Sequence, residues 1–220
     1  MTSGRANVLC FDIGGTLVSM PRGSLAEELA ESLGVDVATV RNLLIEHGKR
    51  RRSSYPVLAS TLAEALHAAD RRAEIERRLR ARGHDMAQPD VLPGVVECLS
   101  SLREDGWTIC YLTNAIGCDA DALRPAYVAG EERIFASYDI GHCKPDRAAF
   151  ATVEDAFGHP ELSMVCVGNS WKADIVGALK AGWSAVYVAG DADERPSHPR
   201  LRSVKDIRSV RVAVAELTRA

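Results

Sequence analysis

Apolar residues form five short runs along the chain, and within each run they are nearly continuous rather than alternating with polar residues. Runs of this length and continuity are typical of strands that are buried on both faces of a parallel sheet. The pattern therefore predicts five β-strands, at Ala6–Phe11, Trp107–Leu112, Ile134–Tyr138, Met164–Val167 and Ala185–Val188.

Stretches with a helical spacing of apolar residues follow these runs. They predict helices at Val95–Arg103, Asp119–Val128, Arg147–Phe157, Lys172–Ala181 and Ile207–Leu217. Strands that alternate with helices indicate right-handed βαβ units. We therefore expect an α/β fold of the Rossmann-like type, in which a doubly wound parallel sheet carries helices on both faces.

The segment between the first two predicted strands interrupts this alternation. From about residue 18 to residue 89 the pattern contains no convincing strand. It predicts four helices instead, at Leu25–Leu33, Val37–Glu46, Val57–Ala69 and Arg71–Arg82. We expect two domains: an α/β core made of residues 1–17 and 90–220, and an inserted helical domain made of residues 18–89.

Charge and hydropathy narrow the range of partners. The 220 residues include 27 Lys and Arg against 30 Asp and Glu, a net charge of −3 with neutral histidines. Proteins that hold nucleic acid or anionic membranes by bulk charge need a basic excess, so we expect neither partner.

The chain has no apolar run of about 18 residues and begins with a polar stretch, which predicts a cytoplasmic protein. Six scattered cysteines without a Cys-x-x-Cys pair predict reduced structural thiols.

Polar clusters occur near the ends of the first four predicted strands. They are Asp12-Ile13-Gly14-Gly15-Thr16, Thr113-Asn114, Lys144-Pro145-Asp146, and Gly168-Asn169-Ser170 with Asp174 one turn later. One such cluster is ordinary turn chemistry. In open α/β sheets, however, ligands bind beyond the carboxyl ends of the strands, so four clusters together predict a functional site.

These side chains are suited to phosphoryl transfer. A carboxylate at position 12 can act as a nucleophile, because the following glycines let backbone N–H groups approach an oxyanion closely. Thr113 and Asn114 would donate hydrogen bonds to that anion, while Lys144 would neutralise its charge. The chemistry suggested is phosphoryl transfer through an aspartyl-phosphate.

The same strand ends carry oxygen donors of the kind that Mg²⁺ accepts. They are the carboxylates of Asp12 and Asp174 and the amide oxygen of Asn169. A bound ion would let an anionic phosphate approach an anionic nucleophile.

The order of these motifs resembles the haloacid dehalogenase (HAD) superfamily. The resemblance covers residues 8–17 and about 92–188, with the first motif altered to Asp-Ile-Gly-Gly-Thr. It implies a hydrolase in which the helical insert is a mobile cap of the C1 type that selects a small phosphorylated metabolite. The expected catalytic residues are Asp12, Thr16, Thr113 and Lys144; the expected substrate contacts are Gly15, Asn114, Lys49 and Arg50; and the expected Mg²⁺ ligands are Asp12, the Gly14 carbonyl, Asn169 and Asp174.

The chain departs from the family pattern at two positions. Phosphatases of the family carry a second Asp two residues after the nucleophile as general acid and base, and Gly14 stands there. Such acid–base help is worth about 10²–10⁴ in rate. Asn169 stands where the family usually has Asp, which removes a charge and predicts weak Mg²⁺ binding.

These departures leave three alternatives open. Displacement of halide needs no protonation, as in haloacid dehalogenases. Phosphonate hydrolases of the superfamily take an imine-forming lysine from the cap, and Lys49 is the only lysine of the insert. A non-catalytic module that binds a phosphorylated ligand or a protein is the third. The basic run from Lys49 to Arg52 could bind a second anionic group of a substrate, or it could form a solvent-exposed face. His47 or Glu46 could replace the missing general acid.

Overall fold

The computed structural model describes residues 7–87, 89–118, 125, 127–158, 163–188 and 196–218. Its strands are β1 (Asn7–Phe11), β2 (Arg52–Ser53), β3 (Thr108–Thr113), β4 (Gly117–Cys118), β5 (Arg133–Ala136), β6 (Ser163–Gly168), β7 (Ser184–Val188) and β8 (Leu201–Val204). Six of them form one sheet in the order β5-β3-β1-β6-β7-β8, and every neighbouring pair is parallel. The predicted α/β fold with a parallel sheet is confirmed.

Helices account for most of the remaining described residues. They are α1 (Leu25–Leu33), α2 (Val37–Leu43), α3 (Tyr55–Ala65), α4 (Arg72–Ala87), α5 (Val95–Glu104), α6 (Ser137–Ile140), α7 (Arg147–Phe157), α8 (Gly177–Lys180) and α9 (Val210–Thr218). The segments Leu44–Lys49 and Trp171–Val176 are π-helical, and Ala69–Arg71 and Ile207–Ser209 are 3₁₀-helical. No helix in the described ranges is both long enough and apolar enough to cross a membrane.

The sheet is buried on both faces, as its continuous apolar runs predict. Along β1, Leu9 and Phe11 belong to one hydrophobic cluster together with residues of α5 and α9. Val8 and Cys10 belong to the cluster on the other face, together with residues of α7 and α8. Because successive side chains of a strand point to opposite faces, this two-sided burial requires an apolar residue at every position.

The helices between β1 and α5 pack around a third hydrophobic cluster. Its fully buried members include Leu29 of α1, Leu58 and Leu62 of α3, and Ile75 and Leu79 of α4. Cys118 of β4 also joins this cluster, so the helical insert contacts the loop that follows β3. A separate cluster of this kind is what the predicted cap of residues 18–89 requires, and the division into two domains stays a prediction.

Several elements differ from the sequence prediction. The third predicted strand, Ile134–Tyr138, ends at Ala136, and α6 begins at the buried Ser137. Strand β8 was not predicted, because it is a short edge strand with only Leu201 buried. Strand β2 lies inside the helical insert and is two residues long, too short to give a pattern. Most of the predicted helix Asp119–Val128 lies outside the described residues.

Candidate active site

Parallel pairing brings the ends of β1, β3 and β6 to one edge of the sheet. Phe11, the last residue of β1, is in register with Tyr111 of β3 and Val167 of β6. The next residue, Asp12, donates its backbone N–H to the Val167 carbonyl at 2.8 Å. Asp12 therefore lies in the middle of the strand-end edge, between Thr113 at the end of β3 and the loop that follows β6.

The Asp12 carboxylate is buried and held by two donors. Lys144 Nζ lies 2.8 Å from Asp12 Oδ1. The Thr16 hydroxyl donates to Asp12 Oδ2 at 3.1 Å. Asp12 is 9% exposed, and Thr16 and Lys144 are less exposed still. Each carboxylate oxygen is thus oriented by one donor, which fixes the direction from which Asp12 would meet a substrate.

Lys144 also contacts a second carboxylate. Its Nζ lies 2.7 Å from Asp174 Oδ1, so one ammonium group bridges Asp12 and Asp174. The other Asp174 oxygen, Oδ2, accepts the backbone N–H of Ser170 at 2.8 Å. All three charged groups are buried, and together they carry a net charge of about −1 when ionised.

Burial and the neighbouring charges both affect the pKa values of Asp12 and Lys144. Burial raises the pKa of Asp12 above its ordinary value, and the Lys144 ammonium opposes that rise. Burial alone would lower the pKa of Lys144, but the charges of Asp12 and Asp174 outweigh it and raise the pKa well above its usual range. Lys144 is therefore a fixed positive charge beside the candidate nucleophile.

Asn114 holds the loop that carries Lys144. Its side-chain amide donates to the Lys144 carbonyl at 2.8 Å and accepts the Lys144 backbone N–H at 2.9 Å. Sequence analysis predicts that Asn114 contacts the substrate directly. In the structure both ends of its amide are bonded to the Lys144 backbone, so Asn114 holds the loop that carries Lys144, and a direct contact with substrate stays a prediction.

Gly14 and Gly15 lie in the tight turn after Asp12, and the structure restricts the two positions to different degrees. Gly15 has a φ of +78°, a left-handed conformation that disfavours other residues, and a β-carbon there would collide with the Asn169 amide. A β-carbon on Gly14 would lie 2.7 Å from Sδ of Met20, so the half-exposed, unbranched side chain of Met20 would have to shift. Gly15 thus makes room for Asn169, whereas the fold leaves position 14 open to other residues.

The oxygen donors at this edge fit a hard divalent cation. Asp174 Oδ1 is buried and accepts no hydrogen bond of good geometry, although Lys144 Nζ is close to it. The Thr16 hydroxyl lies 3.2 Å from Asn169 Oδ1, which places that amide oxygen near the Asp12 carboxylate. Within the described ranges, no group of three or more His, Cys, Asp or Glu residues is arranged to hold a metal. A cation here would have two carboxylates as ligands, which predicts modest affinity.

Comparison with known proteins identifies one family that covers most of the chain. A family model described as haloacid dehalogenase-like hydrolase matches residues 6–182. The chain belongs to the haloacid dehalogenase-like hydrolases. A comparison with curated proteins gave no significant match.

Solved structures with the same fold cover nearly the whole of this HAD-like hydrolase. A 2-haloacid dehalogenase from Pseudomonas syringae is 23% identical with a TM-score of 0.64, covering 96% of this chain and 98% of its own. A HAD phosphatase from Thermococcus onnurineus is 20% identical with a TM-score of 0.57 and the same coverages. A HAD-hydrolase from Bacillus subtilis bound to magnesium is 18% identical with a TM-score of 0.59, covering 96% of this chain and 100% of its own. At these identities the likeness concerns the fold, and both chemistries are represented among the neighbours.

The structure adds one positioning residue to the HAD-like site that sequence analysis missed. Ser137 is fully buried at the start of α6. Its hydroxyl lies 3.2 Å from both the N–H and the carbonyl oxygen of Ala115, the residue after Asn114. A serine directly after the apolar run that forms β5 is the sequence signal that could have identified it.

The remaining predicted contacts lie on the helical insert. Arg50 Nη2 is 2.6 Å from Asp146 Oδ2, two residues beyond Lys144, and Arg50 Nη1 is 3.4 Å from Glu46 Oε2. Glu46 also pairs with Arg51 at 3.0 Å. Arg50 therefore links the insert to the loop that carries Lys144, and the Glu46 carboxylate is held by two arginines. Lys49, beside them, is partly buried.

Proposed function

We propose that this HAD-like hydrolase is a Mg²⁺-dependent phosphatase that acts on a small phosphorylated metabolite through an aspartyl-phosphate on Asp12. One observation carries the proposal: the buried Asp12 carboxylate is held at both oxygens, by Lys144 Nζ at 2.8 Å and by the Thr16 hydroxyl at 3.1 Å. A carboxylate that served only the fold would not need an ammonium group and a hydroxyl at the edge where ligands bind.

In the first step an oxygen of Asp12 attacks the phosphorus atom. The bond from phosphorus to the leaving oxygen breaks, and that oxygen takes the electron pair. Lys144 offsets the negative charge that gathers on the phosphoryl oxygens, because its ammonium is held beside Asp12 before the reaction starts. In the second step water attacks the same phosphorus atom, and the bond to Asp12 breaks. Inorganic phosphate leaves, and the proton lost by water balances the one taken up by the leaving group.

The Mg²⁺ ligands we propose are Asp12, the Gly14 carbonyl, Asn169 and Asp174. The ion would supply positive charge that reduces the repulsion between Asp12 and an anionic phosphate. Asp174 Oδ1 is the observation that supports this assignment: it is buried and accepts no hydrogen bond of good geometry, although Lys144 Nζ lies 2.7 Å away. The chain's own residues perform the remaining work, since Thr16 orients the nucleophile and Lys144 stabilises charge.

The leaving group is expected to depart without help from residue 14. Gly14 has no side chain to donate a proton. Hydrolysis of an ester with a poor leaving group should therefore be slower by about 10²–10⁴-fold than with a general acid present. We therefore expect acyl and aryl phosphates to be better substrates than alkyl monoesters. Comparison of kcat/KM for 4-nitrophenyl phosphate and a sugar phosphate tests this, and equal values would contradict it.

Halide displacement is the second candidate function. Lys144 pairs with both Asp12 and Asp174, so much of the site's negative charge is balanced by the protein itself. In that reaction an Asp12 oxygen attacks the carbon that bears the halogen, the carbon–halogen bond breaks, and halide leaves without a proton. Water then hydrolyses the ester formed on Asp12.

A screen of phosphate esters and 2-haloacids, with and without Mg²⁺, tests the proposal and its alternative together. The account predicts Mg²⁺-dependent release of phosphate by the wild-type protein and none by Asp12→Asn. Metal-independent release of halide from 2-haloacids would support the second candidate and overturn the first. Silence with every ester and haloacid would overturn both and favour a binding module.

A further inference from the structure

One short segment of the helical insert lies against the loops that build the site. We call residues 48–53 the insert edge. Its strand β2 pairs with β4, so that Arg52 and Ser53 are in register with Gly117 and Cys118, just after Asn114. On its other side, Arg50 bonds to Asp146 at 2.6 Å, just after Lys144. The insert edge therefore bridges the loop after β3 and the loop that carries Lys144.

Those two loops form one wall of the site. The Asn114 amide joins them through its two hydrogen bonds to the Lys144 backbone. Lys49 directly precedes Arg50, which bonds to Asp146 on the loop that carries Lys144. On its other side, a β-carbon on Gly48 would lie 3.8 Å from Cγ2 of Ile116, in the loop after β3. Position 49 therefore lies between two residues of the insert edge that touch this wall.

Lys49 differs from its neighbours in having no anionic partner. Arg50 pairs with Glu46 and Asp146, Arg51 with Glu46, and Arg52 with Asp139. Among the residues that the structure describes, no carboxylate pairs with Lys49. Burial lowers the pKa of Lys49; the Cys143 thiol opposes that fall, and the charge of Arg41 adds to it. A partly buried ammonium without a counter-charge is unfavourable, and an anion bound beside it would relieve that cost.

We propose that Lys49 binds a second anionic group of the substrate, so that the preferred substrates are phosphate esters that also carry a carboxylate or a similar anion. This inference rests on the proposed function for the reacting end of the substrate. It assigns the two basic residues of the sequence prediction different roles: Arg50 fastens the insert edge to the core, and Lys49 selects the substrate.

A matched pair of aryl phosphate esters measures the preference for substrates with a second anionic group. 4-Carboxyphenyl phosphate and 4-carbamoylphenyl phosphate have the same shape and differ in one charge. A charge-assisted hydrogen bond predicts that the wild-type protein favours the carboxylate by roughly ten- to a hundredfold in kcat/KM. Lys49→Met should bring that ratio close to one, and Lys49→Arg should keep it well above one.

Arg51→Met provides the control, because Arg51 lies in the same segment and is paired with Glu46. It should leave the ratio of the two esters unchanged. A wild-type protein that hydrolyses both esters equally, or a Lys49→Met variant that keeps the preference, would overturn the inference while leaving the phosphatase proposal intact.

A binding measurement separates this inference from turnover. Calorimetry with 3-phosphonopropionate and with propylphosphonate compares a probe that has the second anion with one that lacks it. Tighter binding of the first by the wild-type protein, lost in Lys49→Met and kept in Lys49→Arg, would support the role of Lys49 even if no ester were hydrolysed. Equal binding of both probes would overturn it. Circular dichroism establishes that each variant is folded.

Discussion

Position 14 is the place in the site where a single side chain would change the chemistry most. The proposed nucleophile Asp12, its ammonium partner Lys144 and the hydroxyl donor Thr16 are all buried. Gly14 supplies no general acid. In the proposed reaction, the site has a group to attack phosphorus but none at position 14 to protonate a poor leaving group.

Gly14→Asp is expected to raise turnover of alkyl phosphate monoesters. The new side chain requires only that the half-exposed Met20 side chain shift, because Sδ of Met20 is the atom nearest its β-carbon. If the missing acid is the limitation, kcat/KM for a sugar phosphate should rise by about 10²-fold or more, with a smaller gain for 4-nitrophenyl phosphate. Steady-state kinetics on both esters measures the change.

Gly15→Ala is the matched control for that experiment. Gly15 has a φ of +78° and no room for a β-carbon beside Asn169, so this variant should lose activity and stability. An unchanged rate for Gly14→Asp on alkyl esters would mean that the pocket lacks a competent metal or nucleophile.

The residue types at the strand ends predicted which side chains lie together at the edge of the sheet. They did not predict which of these side chains contact each other. Asp12, Thr16, Lys144 and Asp174 meet as expected, because parallel strands bring their carboxyl ends to one edge. The bridge from Lys144 to Asp174 and the pairing of Asn114 with the Lys144 backbone join residues 30 positions apart. Such pairs depend on loop geometry and side-chain rotamers, which a single sequence does not reveal.

At the scale of elements, Glu74 ties α4 to α1. Its carboxylate accepts a hydrogen bond from the Ser32 hydroxyl at 2.6 Å and others from Arg71 and Arg78. Ser32 first, and then the two arginines, lower the pKa of Glu74 to about 2. The bonds favour the ionised form, so their contribution to stability is present above the ordinary pKa and is lost as the pH falls through about 2.

Glu74→Gln is expected to lower the free energy of unfolding at neutral pH. The difference from the wild-type protein should narrow as the pH falls from about 4.5 toward about 2, because the wild-type carboxyl then loses its charge too. Urea unfolding at several pH values measures this difference. Glu76→Gln is the control, since Glu76 pairs with Arg72 and Arg80 on its own helix. A difference that is independent of pH would contradict the assignment.

Periodicity located the buried strands because two-sided burial leaves a continuous apolar run. It failed where an element is short or at an edge. Strand β8 has one buried residue in four, and β2 has two residues that pair with β4 through backbone alone. The third predicted strand extended too far because Tyr138 is apolar and buried, although it lies in α6. Burial alone does not tell a strand end from a helical turn.

At the scale of the whole molecule, exposed ion pairs connect the insert edge to the core. Arg50 pairs with Asp146, and Arg52 pairs with Asp139 while lying over the Tyr138 ring. The four side chains are between 36% and 56% exposed, so each pair should contribute only about 0–1 kcal/mol to stability. Their effect on substrate binding should be larger, because they hold the insert edge beside the site.

Arg52→Gln is accordingly expected to raise KM several-fold with little change in the unfolding midpoint. Without this ion pair the insert edge is less ordered, and ordering it when substrate binds costs binding free energy. Kinetics together with thermal unfolding separates the two effects, and high salt should reduce the difference by screening the pair. Arg72→Gln, which removes a pair within α4, should change neither quantity. A large loss of stability in Arg52→Gln without a change in KM would contradict this account.

In the proposed reaction Asp12 becomes phosphorylated during turnover. The most direct measurement is to mix the protein with 4-nitrophenyl phosphate and Mg²⁺, quench with acid within one turnover, and determine peptide masses. The account predicts one added phosphoryl group on the peptide that contains Asp12, absent from Asp12→Asn, together with a loss of turnover in that variant of about 10³-fold or more. Turnover by the wild-type protein with no adduct, and an active Asp12→Asn variant, would contradict it.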